Sequence, residues 1–318
     1  MSKINIGVDL KTPLHLLSFL AFSEMVESER NFIFVSHEII GRFDKYIDLL
    51  KSYNCIILPL NSNNDILALL EQHVGSKIHV VSVNFPKYQL KIRQARVNLV
   101  TINDGLSSYP SLKSMYYNFK RAGRKISFSS LSIKYFGEKL LSKIIPYEEF
   151  YLHSSNDLGL NHNYVEALRE VLVKSSRALY QGAYNKVLKN KTMVFIGQPL
   201  ISLGTVSKND YLDSIALVKA LCQSRNWDFV YKPHPFECPK ELKLENELVS
   251  FDGSMEEFCF LENEIVAVCS FYSTSLISLS EIFNVLAFRL DIPVKNLYFS
   301  EKQKVLLSKV GVINNESY

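Results

Sequence analysis

Cysteine is scarce in this chain, and its arrangement excludes two classes of protein at once. The five residues, Cys55, Cys222, Cys238, Cys259 and Cys269, are scattered, odd in number and form no CxxC pair, so neither a zinc-binding framework nor a disulfide scaffold is indicated and a reducing cytosol is the expected home. Glycine is sparse too: 12 in 318 residues, with no G-x-G-x-x-G run that would mark a dinucleotide-binding turn. No apolar run approaches the ~18 residues that span a bilayer. The first ten residues, interrupted by Asp9 and followed by Lys11, lack the unbroken apolar core of a secretory signal. Export is therefore not expected, and contact with the inner face of the cytoplasmic membrane would be peripheral. The formal charge of +4 is too small to argue for nucleic acid, which leaves only local basic patches as meeting points for acidic partners.

Apolar residues are abundant, at 47% against 21% charged, the balance of an ordinary globular protein rather than a disordered one. The length exceeds what one domain of ~100–150 residues needs. Short β-branched runs at 4–8, 32–35, 55–58, 78–83 and 98–102 read as strands, with Thr12 and Pro13 opening a buried helix after the first and another helical pattern near 66–73. Strand and helix patterns then restart: 192–196, 228–232, 265–269 and 285–290 as strands, 210–223, 255–261 and the stretch after Ser273 as helices. Between the series lie a basic, aromatic insertion over 112–145 and a helix over about 164–188. Two such alternations predict an α/β fold of two Rossmann-like domains facing across a cleft. The expected boundaries are 1–185 for the first domain, carrying the acceptor side and the base, 186–300 for the second, and 301–318 for an amphipathic tail that packs back on the first domain or touches a membrane surface.

The residues suited to chemistry stand where strands run out, which is where open α/β sheets bind ligands. Asp104 follows an apolar strand and precedes Gly105, a placement that leaves a carboxylate on a loop as a general base; an Asn103, Asp104, Gly105 turn is the bland account. His234 is bracketed by Pro233 and Pro235 after Lys232, so its backbone has little freedom. Ser273, Thr274 and Ser275 gather hydroxyls and N–H groups at a helix start, an anion site or a redundant N-cap. Gly197 and Gln198 end another strand in a turn whose amides suit a phosphate; for Thr12 capping is a sufficient explanation, with substrate contact as the alternative.

Taken as a set, in this order and spacing, these motifs resemble those of the bacterial sialyltransferases of the lipooligosaccharide and polysialic acid kind: Asn103, Asp104, Gly105, then His234, Pro235, then Ser273, Thr274, Ser275. The opening Thr12, Pro13, Leu14 also looks like theirs. The resemblance runs over about residues 4–290, and Asn103 departs from it by standing where the family prefers an acid. It implies a GT-B architecture, CMP-activated sialic acid as donor, and an inverting, metal-independent transfer to a hydroxyl of a capsule or lipooligosaccharide glycan, acidic or neutral. In that role Asp104 is the base and His234 and the Ser273 to Ser275 hydroxyls meet the leaving CMP, with Gly197, Gln198, Lys232 and Pro235 nearby on the donor side and Thr12, Asn103 and Gly105 on the acceptor side. Alternatives are a transferase for Kdo or another CMP-activated nonulosonate, a CDP-glycerol-type polymer synthase, which shares a Lys, Pro, His, Pro stretch, and a non-catalytic capsule-assembly protein. The basic aromatic insertion fits an acidic acceptor, an anionic membrane or a plain solvated surface.

Overall fold

The computed structural model describes residues 2–83, 97–102, 105–145, 147–179, 188–234, 237, 242–244, 246–249, 251, 253–295 and 297–314, with backbone alone at 141, 142, 144 and 176–179. Asn103, Asp104, Pro235 and Cys238, and the expected domain boundary at 185, lie outside the described residues. The chain forms two units, one of residues 1–108 and 133–181, the other of residues 109–132 and 182–318.

The first unit is built on a six-stranded, wholly parallel sheet in the order β3-β2-β1-β4-β5-β6, with β1 Lys3–Val8, β2 Arg30–Val35, β3 Cys55–Pro59, β4 Lys77–Ser82, β5 Asn98–Ile102 and β6 Glu148–Phe150. This is the doubly wound order, whose switch point falls between β1 and β4. One face of β1 points Ile4, Ile6 and Val8 into an apolar cluster with Phe32, Phe34, Val80 and the Ile66 and Leu70 of helix Asn63–Gln72. The other face packs helix Pro13–Met25, which starts where expected because the Thr12 hydroxyl accepts from the His15 N–H and Pro13 needs no hydrogen bond there. That helix approaches so closely that a side chain at Gly7 would press on the Phe19 ring. Its second neighbour is helix His162–Leu179, joined through Ser18 and Tyr164 hydroxyls 2.8 Å apart.

The second unit has a five-stranded parallel sheet in the order β11-β10-β9-β7-β8, with β7 Thr192–Ile196, β8 Asp228–Lys232, β9 Ile265–Ser270, β10 Leu286–Leu290 and β11 Gly311–Ile313. In chain order this is the flavodoxin-like arrangement, and its switch point lies between β7 and β9. Two expectations are corrected here. The stretch 301–313 is not a separate tail: helix Glu301–Leu307 buries Leu306 and Leu307, and β11 then extends the sheet beside β10. Residues 109–132, expected with the first half, belong to the second unit. Ser300 donates to the Tyr109 carbonyl at 2.6 Å, Tyr117 of helix Leu112–Arg121 stacks on Tyr298, and Lys113 lies 4.4 Å over the same ring. These partners are far away in sequence, so no local pattern announces them.

Candidate active site

The carboxyl ends of β7, β8 and β9 are adjacent in the second sheet, and every described donor-side candidate is on them. Gly197 continues β7 and donates its N–H to the Lys232 carbonyl at the end of β8. At the end of β9, the buried Ser270 hydroxyl donates to the Ile196 carbonyl at 2.7 Å, tying that strand end to β7. Gln198 reaches across the switch point: its side-chain oxygen accepts the Tyr272 N–H at 3.1 Å. Ser273, Thr274 and Ser275 follow directly and open helix Ser275–Phe283, the Ser273 hydroxyl accepting the Ser275 N–H at 3.3 Å. Thr274 stands at the N-cap position of this helix. Among acceptor-side candidates, Thr12 is the N-cap described above, and Gly105 opens a short 3-10 turn after β5 with φ of +61°, a left-handed value that favours glycine.

Glu237, which no motif singled out, holds the His234 loop. One carboxylate oxygen accepts the His234 N–H at 2.7 Å; the other accepts the Tyr211 and Tyr231 hydroxyls at 2.7 and 3.0 Å. The Glu237 N–H returns to the His234 carbonyl at 2.9 Å, closing the turn from both sides. Tyr211 also receives the Gln198 N–H at 3.2 Å, so one phenol joins the β7 loop to the β8 loop. Any side chain at Gly197 would collide with the Glu237 carboxylate and the Tyr231 hydroxyl, which is why glycine stands there. Nothing in the local sequence marks Glu237 for this role. Its tyrosine partners look like ordinary core aromatics in sequence.

Burial raises the Tyr211 and Tyr231 phenols far above their ordinary range, reinforced by the neighbouring Glu237 charge, so both stay protonated donors. Burial, and then the Lys232 charge, lowers the His234 imidazole below its ordinary value of 6.5, so the resting ring is neutral near pH 7. Deeper in, the Ser278 hydroxyl of helix Ser275–Phe283 donates to the buried Glu256 carboxyl, which burial pushes up. Arg121 arrives from helix Leu112–Arg121 to donate to the Tyr272 hydroxyl at 2.7 Å, setting a guanidinium beside the residue that precedes Ser273. Sequence offered no sign of that pairing across 151 positions. The thiols of Cys222, Cys259 and Cys269 are buried and raised, Cys222 to about 11, and so are poor nucleophiles. Among the described residues no group of three or more His, Cys, Asp or Glu could hold a metal ion.

An imidazole, a lysine, three hydroxyls and a helix amino terminus thus stand at the ends of three adjacent strands on either side of one switch point. Solved structures share the architecture. The UDP-GlcNAc 2-epimerase of Methanocaldococcus jannaschii is 13% identical and matches with a TM-score of 0.55, covering 96% of this chain and 91% of its own. Its complex with UDP-GlcNAc and UDP, also 13% identical, gives 0.51 with coverages of 99% and 89%. The GT-B domain of the sialyltransferase from Photobacterium damselae is 11% identical, with coverages of 96% and 95% and a TM-score of 0.47. No curated protein matches the chain in sequence. The fold is thus the GT-B class of mixed α/β architecture with parallel sheets. Within that class, the alpha-2,8-polysialyltransferase (POLYST) family model matches residues 28–291. The chain belongs to this family and is a glycosyltransferase of the sialyltransferase kind.

Proposed function

We propose that the protein transfers sialic acid from CMP-sialic acid to a hydroxyl of a bacterial surface glycan, with inversion and without a metal, and that the hydroxyl is the 8-OH of a terminal sialic acid, as the family description suggests. The observation that carries the donor half is the convergence of the β7, β8 and β9 loops, tied by Gln198 to Tyr272 and by Glu237 to His234. In the transfer, the Asp104 carboxylate takes the proton of the acceptor hydroxyl as its oxygen bonds to the anomeric carbon. The bond from that carbon to the CMP phosphate oxygen breaks, and the electron pair leaves with the phosphate. His234 donates to that oxygen through a ring N–H, while the Ser273, Thr274 and Ser275 hydroxyls, Lys232 and the positive end of the following helix share the developing charge.

Incubation with CMP-sialic acid, CMP-Kdo and CDP-glycerol against sialylated and neutral acceptors, read by mass spectrometry and linkage analysis, tests the reading. The expected result is turnover of CMP-sialic acid alone, onto a sialylated acceptor. Transfer from one of the other donors overturns the donor assignment. Asp104→Asn should abolish transfer while calorimetry still detects CMP binding; lost nucleotide affinity, or normal turnover, argues against its role as base.

A further inference from the structure

Helix Phe128–Ile144 presents an apolar stripe to solvent. Ile133, Phe136 and Leu140 are 77%, 60% and 61% exposed, and at spacings of three and four they line up along one side of the helix. Leu131, on the opposite side, is fully buried and fastens the helix to the protein. At 100° per residue, Lys139 and Lys143 border the stripe on one edge, and Lys134 stands about 100° round the helix beyond Ile133 on the other, all exposed. Glu138, the only acid in the helix, pairs with Lys134 at 3.8 Å on the side away from the stripe. A contiguous row of large exposed apolar side chains is the mark of an interaction surface.

We propose that this helix lies in the plane of an anionic phospholipid membrane, with Ile133, Phe136 and Leu140 inserted among the acyl chains. Lys134, Lys139 and Lys143 then extend to the phosphate head groups on either side. The charge pattern selects this occupant: lysines bordering an apolar stripe meet anionic lipid favourably. A second copy of the chain packed symmetrically on the stripe would bring lysine against lysine. A glycan gains little from Ile133 and Leu140, which offer neither an aromatic face nor a hydrogen bond. No described helix is long and apolar enough to cross a membrane, so the contact is one of lying on the surface. This inference stands apart from the donor and acceptor assigned above.

The test is flotation of the purified full chain with vesicles of phosphatidylcholine alone or with about one third phosphatidylglycerol. The expected result is co-flotation with the anionic vesicles that weakens at high salt. The combined variant Ile133→Ser, Phe136→Ser, Leu140→Ser should lower partitioning by at least ~30-fold. The combined variant Lys134→Gln, Lys139→Gln, Lys143→Gln should lower it about 10- to 100-fold on anionic vesicles only. Both should keep wild-type melting and wild-type turnover of a soluble acceptor. As a readout that needs no multiple variant, an environment-sensitive dye on Phe136→Cys should shift to the blue when anionic vesicles are added. Equal flotation of the apolar variant and the wild type, no wild-type flotation, or no dye shift overturns the proposal. So does a serine variant that leaves flotation intact but changes the sedimenting mass, which points to a second copy, or a glutamine variant whose only loss is affinity for soluble oligosialic acid.

Discussion

The two units bury their polar groups in opposite places. In the first, strand register sets Asn31, Asn5 and His79 side by side across β2, β1 and β4. His79 Nδ1 lies 3.0 Å from the Asn5 side-chain oxygen, Asn5 donates to Ser23 at 3.0 Å, Ser23 donates to Asn31 at 2.8 Å, and Asn31 donates to the Tyr53 carbonyl. That row is closed upon itself in the middle of the sheet. In the second unit the strand interiors are apolar, with Met193, Val194, Phe195, Val230, Ala267 and Val268 buried. Its polar network gathers at the strand ends, where the buried hydroxyls of Tyr231 of β8 and Tyr211 of helix Lys208–Ser224 meet Glu237 and Gln198, and Gln198 in turn meets Tyr272. The same kinds of group thus serve two purposes. Where the side chains sit on strands and a packed helix, the network fixes register; where a strand and a helix reach out to loop residues, it fixes the loops.

Variants can pull these purposes apart, and the largest effect is expected at His234. His234→Ala should lower turnover roughly 100-fold or more with unchanged melting, because one aimed donor contributes ~2.7–4 kcal/mol to a developing oxyanion; near-normal steady-state kinetics removes it from the site. Glu237→Gln should lower turnover about 10-fold and cost about 2 kcal/mol of stability, since one acceptor of charged hydrogen bonds is replaced by an amide. A double-mutant cycle sharpens the point: if Glu237 acts by holding His234, adding Glu237→Gln to His234→Ala changes turnover by less than about twofold. Full additivity would mean that it acts elsewhere.

In the first unit the expected effect is on stability and pH. Burial, with the Lys77 and Lys3 charges, lowers His79 to about 4. The unfolded chain therefore binds a proton at about 6.5 that the folded chain refuses, and stability is complete above that pH and falls as pH drops toward 4, by about 3 kcal/mol in all. Denaturant titrations from pH 7 to 4 should show this slope, and His79→Gln, which keeps a donor for Asn5, should flatten it; a slope unchanged in the variant rules His79 out as its source. The smallest effect is expected at Ser62, which with Asp65 forms the capping box of helix Asn63–Gln72. Ser62→Ala should cost about 1 kcal/mol by thermal denaturation and leave turnover alone; a drop in kcat would break the separation between the two networks.

Much of the strand pattern could be read along the chain, since fully buried parallel strands appear as apolar runs wherever they occur. β6 and β11 escaped notice, being three residues each and half polar or exposed. The loop positions of Gln198, His234 and Ser273 were legible because Pro, Gly and hydroxyl residues punctuate strand ends. Glu237 was not, because its importance lies in Tyr211, 26 positions away, and in the missing side chain of Gly197. Arg121 was read as part of a basic insertion and could not be paired with Tyr272 from spacing alone.

Local chemistry settled what each short stretch of this protein would become: periodicity chose strand or helix, Thr12 and Ser254 started helices, and the strand-end residues set the order of the motifs. Which strand lies beside which was decided only on folding, because pairing depends on how whole faces pack and not on any single run. Through that choice β7 came to lie between β8 and β9, and the Tyr211 and Glu237 contacts that fix the His234 loop exist only because it did.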